Sequence, residues 1–172
     1  MTALETRSDC SRCAALCCIA YPSEDMPGFA ASKAAGEACP KLTSEGRCSI
    51  YETRAEEGFG GCIRFECFGA GQHVVQKLFE GRDWRGNAAL LGPMIDAFLA
   101  MRPVSDLAYL VESALGLDLP QSSRDTLLGL RAELADIAGS RAALSDRSRI
   151  GYAEQAIRRI YATIDPAKLL NS

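Results

Sequence analysis

The chain carries eight cysteines: Cys10, Cys13, Cys17, Cys18, Cys39, Cys48, Cys62 and Cys67. All fall within residues 10–67 of a 172-residue sequence, and none lies beyond. An even count packed into one third of a chain means either disulfides or metal ligation. Cys10-x2-Cys13 has the spacing of a metal knuckle, in which one tight turn directs two sulfurs at one ion. Cys17 and Cys18 follow after three intervening residues. Neighbouring residues point about 100° apart on a helix and about 180° apart on a strand, so these two sulfurs do not easily share one small ion. The physical reading is two centres, or one centre and a spare thiol. The remaining four come as Cys39-x8-Cys48 and Cys62-x4-Cys67, and eight thiolates would complete two four-coordinate sites.

All-thiolate ligation suits zinc and iron–sulfur clusters alike. A zinc ribbon normally shows two CxxC knuckles, and here there is one. A clustered trio with a remote Cys39-Pro40 is closer to the ferredoxin habit, although the spacing differs. The expected cofactor is therefore a 4Fe–4S cluster or zinc, with iron–sulfur placed first and a disulfide framework third.

Compartment decides between ligands and disulfides. Cys13–Tyr21 is an apolar stretch behind Arg7 and Arg12. Its flank also carries Glu5 and Asp9, the stretch itself holds three cysteines, and Leu16 stands where a lipoprotein signal needs a small residue. Export is thus disfavoured, and a cytoplasmic, reducing location leaves the thiols free for metal. The net charge is −3, from 19 basic and 22 acidic side chains, with no basic face, which argues against a nucleic-acid partner. No run reaches the length of a membrane span. A single histidine, no nucleophile elbow and no phosphate loop leave the cysteines as the one candidate reaction centre, so a non-enzyme is expected. A thioredoxin-type pair is disfavoured because no βαβ pattern surrounds Cys10 and Cys13.

The elements that must position these residues divide the chain. Residues 1–70 read as an irregular cysteine-rich module, rich in Gly, Pro and charge. Two short strands are suggested, at residues 48–52 (CSIYE) and 62–66 (CIRFE), joined across Glu56–Gly61. The segment has few large apolar residues, so it needs cross-links, which metal–thiolate bonds would supply. Residues 71–172 read as an α-helical bundle. Val74, Val75, Leu78 and Phe79 share one side of a first helix. Asn87 caps a second, over residues 88–101, which Pro93 bends or opens; Pro103 opens a third that Gly116 closes. Ser122 or Ser123 caps a fourth, with Leu127, Leu130, Leu134 and Ile137 at 3-4-3 spacing, closed by Gly139. The last carries Ile150, Ala153, Ile157, Ile160 and Ile164. These stripes read as bundle core, with a homodimer or partner contact through the last helices as the other use. The fold class is mainly α.

Around the sulfurs, Arg54 and Arg64 are candidates to offset thiolate charge, and Tyr51 and Phe65 to cover the sulfurs. His73, six residues past Cys67, is a candidate substitute ligand, although a capping or surface role is the ordinary one. Gly69-Ala70-Gly71 reads as a hinge and helix cap, and Trp84 as a packing residue.

The order CSRCAALCC, CPKLTSEGRCSIYETR and CIRFEC resembles the bacterial cysteine-cluster family named YkgJ-like, described as a zinc- or iron-chelating domain. Its pattern of CxxCxxCC, then C-x-x-L, then G-x-C-x-(I/V)-Y-E-x-R-P, then C-R-x-(F/Y) is matched by Cys10, Cys13, Cys17 and Cys18, with three residues rather than two before the Cys17-Cys18 pair, by Cys39 and Leu42, by Gly46, Cys48, Ile50, Tyr51, Glu52 and Arg54, and approximately by Cys62, Arg64 and Phe65. Ala55 replaces the proline, Ile63 separates Cys62 from Arg64, and EEGFGG adds length. The resemblance implies metal chelation by the eight cysteines. Phe68–Gln72 (FGAGQ) and Trp84-Arg85 also resemble the start of some actinobacterial pentapeptide-repeat proteins, but no such repeats follow. The functional expectation is a metal-binding protein with a redox, electron-transfer or sensing role. The alternative is a zinc-stapled interaction module without redox activity.

Overall fold

The structure, a computed structural model, describes residues 3–24 and 26–165. Its regular elements are helical. A 3₁₀ turn at Cys10–Arg12 precedes α1 (Leu16–Ala20), α2 (Gly60–Arg64) and α3 (Ala70–His73). α3 runs on into a π-helical turn at Val74–Leu78. A 3₁₀ turn at Ala88–Leu90 leads into α4 (Leu91–Leu115), followed by α5 (Gln121–Ile137), α6 (Arg141–Leu144) and α7 (Arg147–Tyr161).

Two compact units form, one from Arg7–Leu99 and the other from residues 3–6 and 100–165 of the described chain. In the first, the cysteine-rich residues do not lack an apolar interior. Leu16, Ile19 and Ala20 of α1 are buried, as are Phe59, Val74, Val75, Phe79, Met94 and Phe98. The Tyr21 ring meets Phe65 and Phe98 edge-on, at centroid distances of 5.5 and 5.8 Å. The Trp84 indole donates to the Ala14 carbonyl at 2.8 Å. Residues 70–98 thus supply the large side chains that residues 10–69 are short of.

Neither expected strand forms among the described residues. The chain around Cys48–Glu52 is built of turns, with Leu42↔Cys48 an isolated bridge. Residues 62–66 belong to the single helical turn of α2 and its end, where Phe65 N–H donates to Gly61 O at 3.0 Å. β-Branched and aromatic content favours a strand only where a partner strand offers a pleated surface, and none is present there.

In the second unit the apolar stripes face their own core. Leu127, Leu130, Leu134 and Ile137 of α5, and Ile150, Ala153, Ile157 and Ile160 of α7, are buried, as is Ile164 just beyond α7. Asp146 caps α7 by accepting from the Ser148 and Arg149 amides. Arg149 ties α7 to Glu133 and Asp136 of α5 at 2.6 and 2.7 Å.

Three boundaries differ from expectation. Pro103 lies inside α4 rather than opening a helix, so the expected second and third helices are one. The carbonyl that Pro103 leaves without an amide belongs to Leu99, an exposed residue, where water can serve it. Asn87 does cap, but it caps the 3₁₀ turn that leads into α4. Pro120 rather than Ser122 or Ser123 stands at the N-cap of α5.

Candidate metal centre

The eight cysteines all belong to the Arg7–Leu99 unit, and all are free thiols. Asp9 caps the Cys10–Arg12 turn through the Ser11 amide, which brings the Cys13 N–H to Cys10 O at 3.4 Å. Ala15 then takes a left-handed conformation (φ 53°) that reverses the chain into α1. α1 carries Cys17 and Cys18, whose sulfurs stand 4.0 Å apart.

Long-range bonds bring the later cysteines to this stretch. Ser8 Oγ lies 2.9 Å from Cys67 Sγ. The Asp9 amide donates to Gln72 Oε1 at 2.6 Å, and the Gln72 amide group donates to Arg7 O at 3.0 Å. Gly69 (φ 79°) turns the chain so that Cys67 O accepts from the Ala70 amide at 3.0 Å. Gly71 then packs against Cys13; a Cβ there would stand 2.4 Å from the Cys13 sulfur. Separately, the Cys39 amide donates to Cys18 O at 3.0 Å. Cys39 O accepts from the Leu42 amide at 2.9 Å, and Leu42 pairs with Cys48 across the Thr43–Arg47 turn.

The charge relations among the thiols follow this geometry. Burial pushes Cys13 up to about 12, with Cys67 and Cys10 as the neighbouring thiols that add to it. Cys10 is raised by burial first, then by Cys67 and Cys18. Cys17 is held well above the ordinary thiol value, first by its contact with Cys18 and by burial, with Cys13 and Cys10 contributing. Cys18 is correspondingly lowered, first by that contact and then by Lys33 and Arg54. Burial raises Cys39 and Cys62; Cys18 and Cys48 act on both, and Cys39 also acts on Cys62.

Cations face the thiols. Arg54 acts on Cys10, Cys18 and Cys62. Lys33, which the sequence reading passed over, is buried and acts on Cys18 and Cys39. Its ammonium donates to the carbonyls of Ile19 (3.2 Å), Ala34 (3.3 Å) and Tyr21, closing the end of α1. Arg85 feels the Cys13 charge, and it hydrogen-bonds Asp83 and Glu45 O. A cavity of about 480 Å³ is lined by Cys10, Cys13, Thr43, Gly46, Arg47 and Arg85, among others.

The other candidates take different places. The Tyr51 ring is half-exposed and lies under the Arg54 guanidinium, 3.8 Å from its carbon. Phe65 packs on Tyr21, Arg64 is exposed at the end of α2, and His73 closes α3 with its amide on Gly69 O.

Among the described residues, no group of three or more His, Cys, Asp and Glu side chains is placed so that it could hold a metal ion. The donor set nevertheless suits a soft metal: eight thiols, several half-buried, with cations facing them. Protonated thiols are weak hydrogen-bonding groups and gain little by converging until a cation draws them in as thiolates.

No protein-family model matches the chain, and no solved structure matches it. It is similar to the uncharacterized protein YybG of Bacillus subtilis strain 168, at 39% identity over 112 residues. That match covers 65% of this chain and 40% of YybG. Among the described residues, no helix is long and apolar enough to cross a membrane.

Proposed function

We propose that this chain is a metal-binding protein that holds an iron–sulfur cluster or zinc through its clustered cysteine thiolates. Its setting is a reducing compartment such as the cytoplasm. The observation that supports the reading is the set of eight free thiols within one compact unit, with the Cys17 and Cys18 sulfurs 4.0 Å apart and with Lys33 and Arg54 acting on Cys18. Thiolate sites for divalent ions or cubane clusters carry net negative charge, and fixed cations offset it. Residues 10–70 supply the ligands and residues 71–99 supply part of the packing. The resemblance to the YkgJ-like pattern points the same way.

Redox chemistry and structural stapling separate in one preparation. The protein is isolated without oxygen, and its iron, zinc and visible spectrum are measured. A brown protein whose absorption bleaches on reduction supports an electron-transfer or sensing role. A colourless protein with near-stoichiometric zinc that unfolds on chelation supports a zinc-stapled interaction module. Folded protein lacking both metals, with all eight thiols titratable, refutes metal binding.

A further inference from the structure

Adjacent residues on a helix point about 100° apart, which sets neighbouring side chains on diverging courses. Cys17 and Cys18 nonetheless hold their sulfurs 4.0 Å apart on α1, and both are partly exposed. The backbone that carries them is fixed from several sides. Ala15, in its left-handed conformation, accepts from the Cys18 amide at 2.9 Å, and Cys18 O accepts from the Cys39 amide at 3.0 Å. Ile19 O accepts from the Gly36 amide and from the buried Lys33 ammonium, at 3.0 and 3.2 Å. Leu16 and Ile19 are themselves buried. A pair held this way loses little further freedom when a ligand bridges it.

The 4.0 Å gap selects the ligand. A disulfide needs sulfurs about 2.05 Å apart and usually spans Cα atoms at least about 4.4 Å apart, whereas adjacent Cα atoms stand only about 3.8 Å apart. A linear two-coordinate ion with bonds of about 2.3 Å, the zinc–thiolate length, needs a gap of about 4.6 Å. A bent centre with the same bonds closes the gap at an angle of about 120°. Structural zinc asks for four ligands, and among the described residues no group of three or more His, Cys, Asp and Glu side chains could hold a metal ion. The fitting ligand needs two thiolates, is bent at its centre and brings its own third substituent. We propose that Cys17 and Cys18 form a dithiol site for trivalent arsenic of the type X–As(OH)2, where X is a hydroxyl or an organic group. Two As–O bonds break and two As–S bonds form. The thiol protons leave with the hydroxyls as two waters, and arsenic stays trivalent, so no oxidant or reductant is needed. The angles at pyramidal arsenic are narrower than 120°, which draws the sulfurs together by a small rotation about χ1. The site goes beyond the metal-binding reading and competes with it only for these two thiols. The Cys10-x2-Cys13 pair is the rival within the chain. Cys13 Sγ lies so close to Gly71 that a Cβ there would stand 2.4 Å away, which leaves no room on that side for a third substituent.

The test adds one equivalent of phenylarsine oxide to the full-length, reduced protein without oxygen, with iron and zinc content measured on the same preparation. Any iron or zinc is then chelated, the remaining thiols are alkylated, and the protected cysteines are located by peptide mass. The expected result is one arsenic per chain with Cys17 and Cys18 as the protected pair, released by an excess of a small dithiol. Protection of another pair, protection spread over the eight thiols, or no uptake overturns the site; the iron and zinc content judges the metal-binding reading separately. Cys17→Ser and Cys18→Ser should each weaken uptake by at least about 100-fold, the advantage of a second attachment point already in place. Cys10→Ser/Cys13→Ser should leave uptake unchanged. Uptake lost in that variant and kept in Cys17→Ser assigns the arsenic to the knuckle and refutes the proposal.

Discussion

Gly71→Ala is a small perturbation with a specific consequence. An added Cβ would stand 2.4 Å from Cys13 Sγ and 3.3 Å from Cys13 Cβ, with the Phe98 ring next at 3.9 Å. Ordinary contact starts near 3.4 Å, so the sulfur must retreat by about 1 Å, most simply by rotation about χ1 of Cys13. Overpacking of this kind costs about 1–3 kcal/mol. Alanine recovers up to about 1 kcal/mol of helix propensity, less here because Gly71 lies in a four-residue turn. The net expectation is a loss of about 1–2 kcal/mol in denaturant unfolding. The metal should suffer more, because ligand positions tolerate only a few tenths of an ångström. Chelator competition should show affinity lowered by about tenfold or more, equivalent to at least about 1.4 kcal/mol. Gly151→Ala is the control: it lies in α7 with nothing within 4 Å of its added Cβ, and should gain about 0.5–1 kcal/mol. If both variants gain stability alike and Gly71→Ala keeps full metal affinity, the packing of Cys13 on α3 has no bearing on the centre.

Lys33→Met keeps most of the stem but strips the carbonyls of Ile19, Tyr21 and Ala34 of their shared donor. Unfolding should show a loss of about 3 kcal/mol, with weaker metal retention. Metal affinity should fall as pH falls, because protons compete for the thiolates; competition titrations across neutral pH check this. The metal-free protein should behave oppositely. Burial raises Cys10, Cys13, Cys39 and Cys62, Cys13 to about 12, so the stability that their neutral forms contribute is present below the ordinary value near 9 and is lost as pH climbs through their raised values. Urea midpoints over that window test the sign. Arg149→Ala removes two ion pairs between α5 and α7 and should cost about 1 kcal/mol, less at high salt.

α5 and α7 were legible because a 3-4 stripe of Leu or Ile over several turns has one use in a chain without a partner strand. The cysteine-rich unit was not, for three separate reasons. Its core is shared with residues 74–98, and sequence distance hides such sharing: Leu16 and Ile19 look too few until Val74, Phe79 and Phe98 join them. Its elements are one or two turns long, so composition at residues 62–66 suggested a strand where Gly60 and Gly61 begin a helical turn. Local rules place a proline such as Pro103 at a helix start, whereas α4 runs through it with Met101 and Val104 buried on either side. Lys33 and Gly71 were not legible: a lysine surrounded by small residues and a glycine before a helix have no signature until the chain places them against α1 and Cys13. The stacking of the Tyr51 ring under the Arg54 guanidinium has no sequence signature either.

The chain has one tryptophan, and its indole is hydrogen-bonded to the carbonyl of Ala14, the residue that follows Cys13 on the way to Cys17. Indole emission therefore originates beside the proposed ligands and nowhere else in the polypeptide. Occupancy of the sulfur sites by a paramagnetic or heavy ion should dim it, so the molecule carries its own optical gauge of loading.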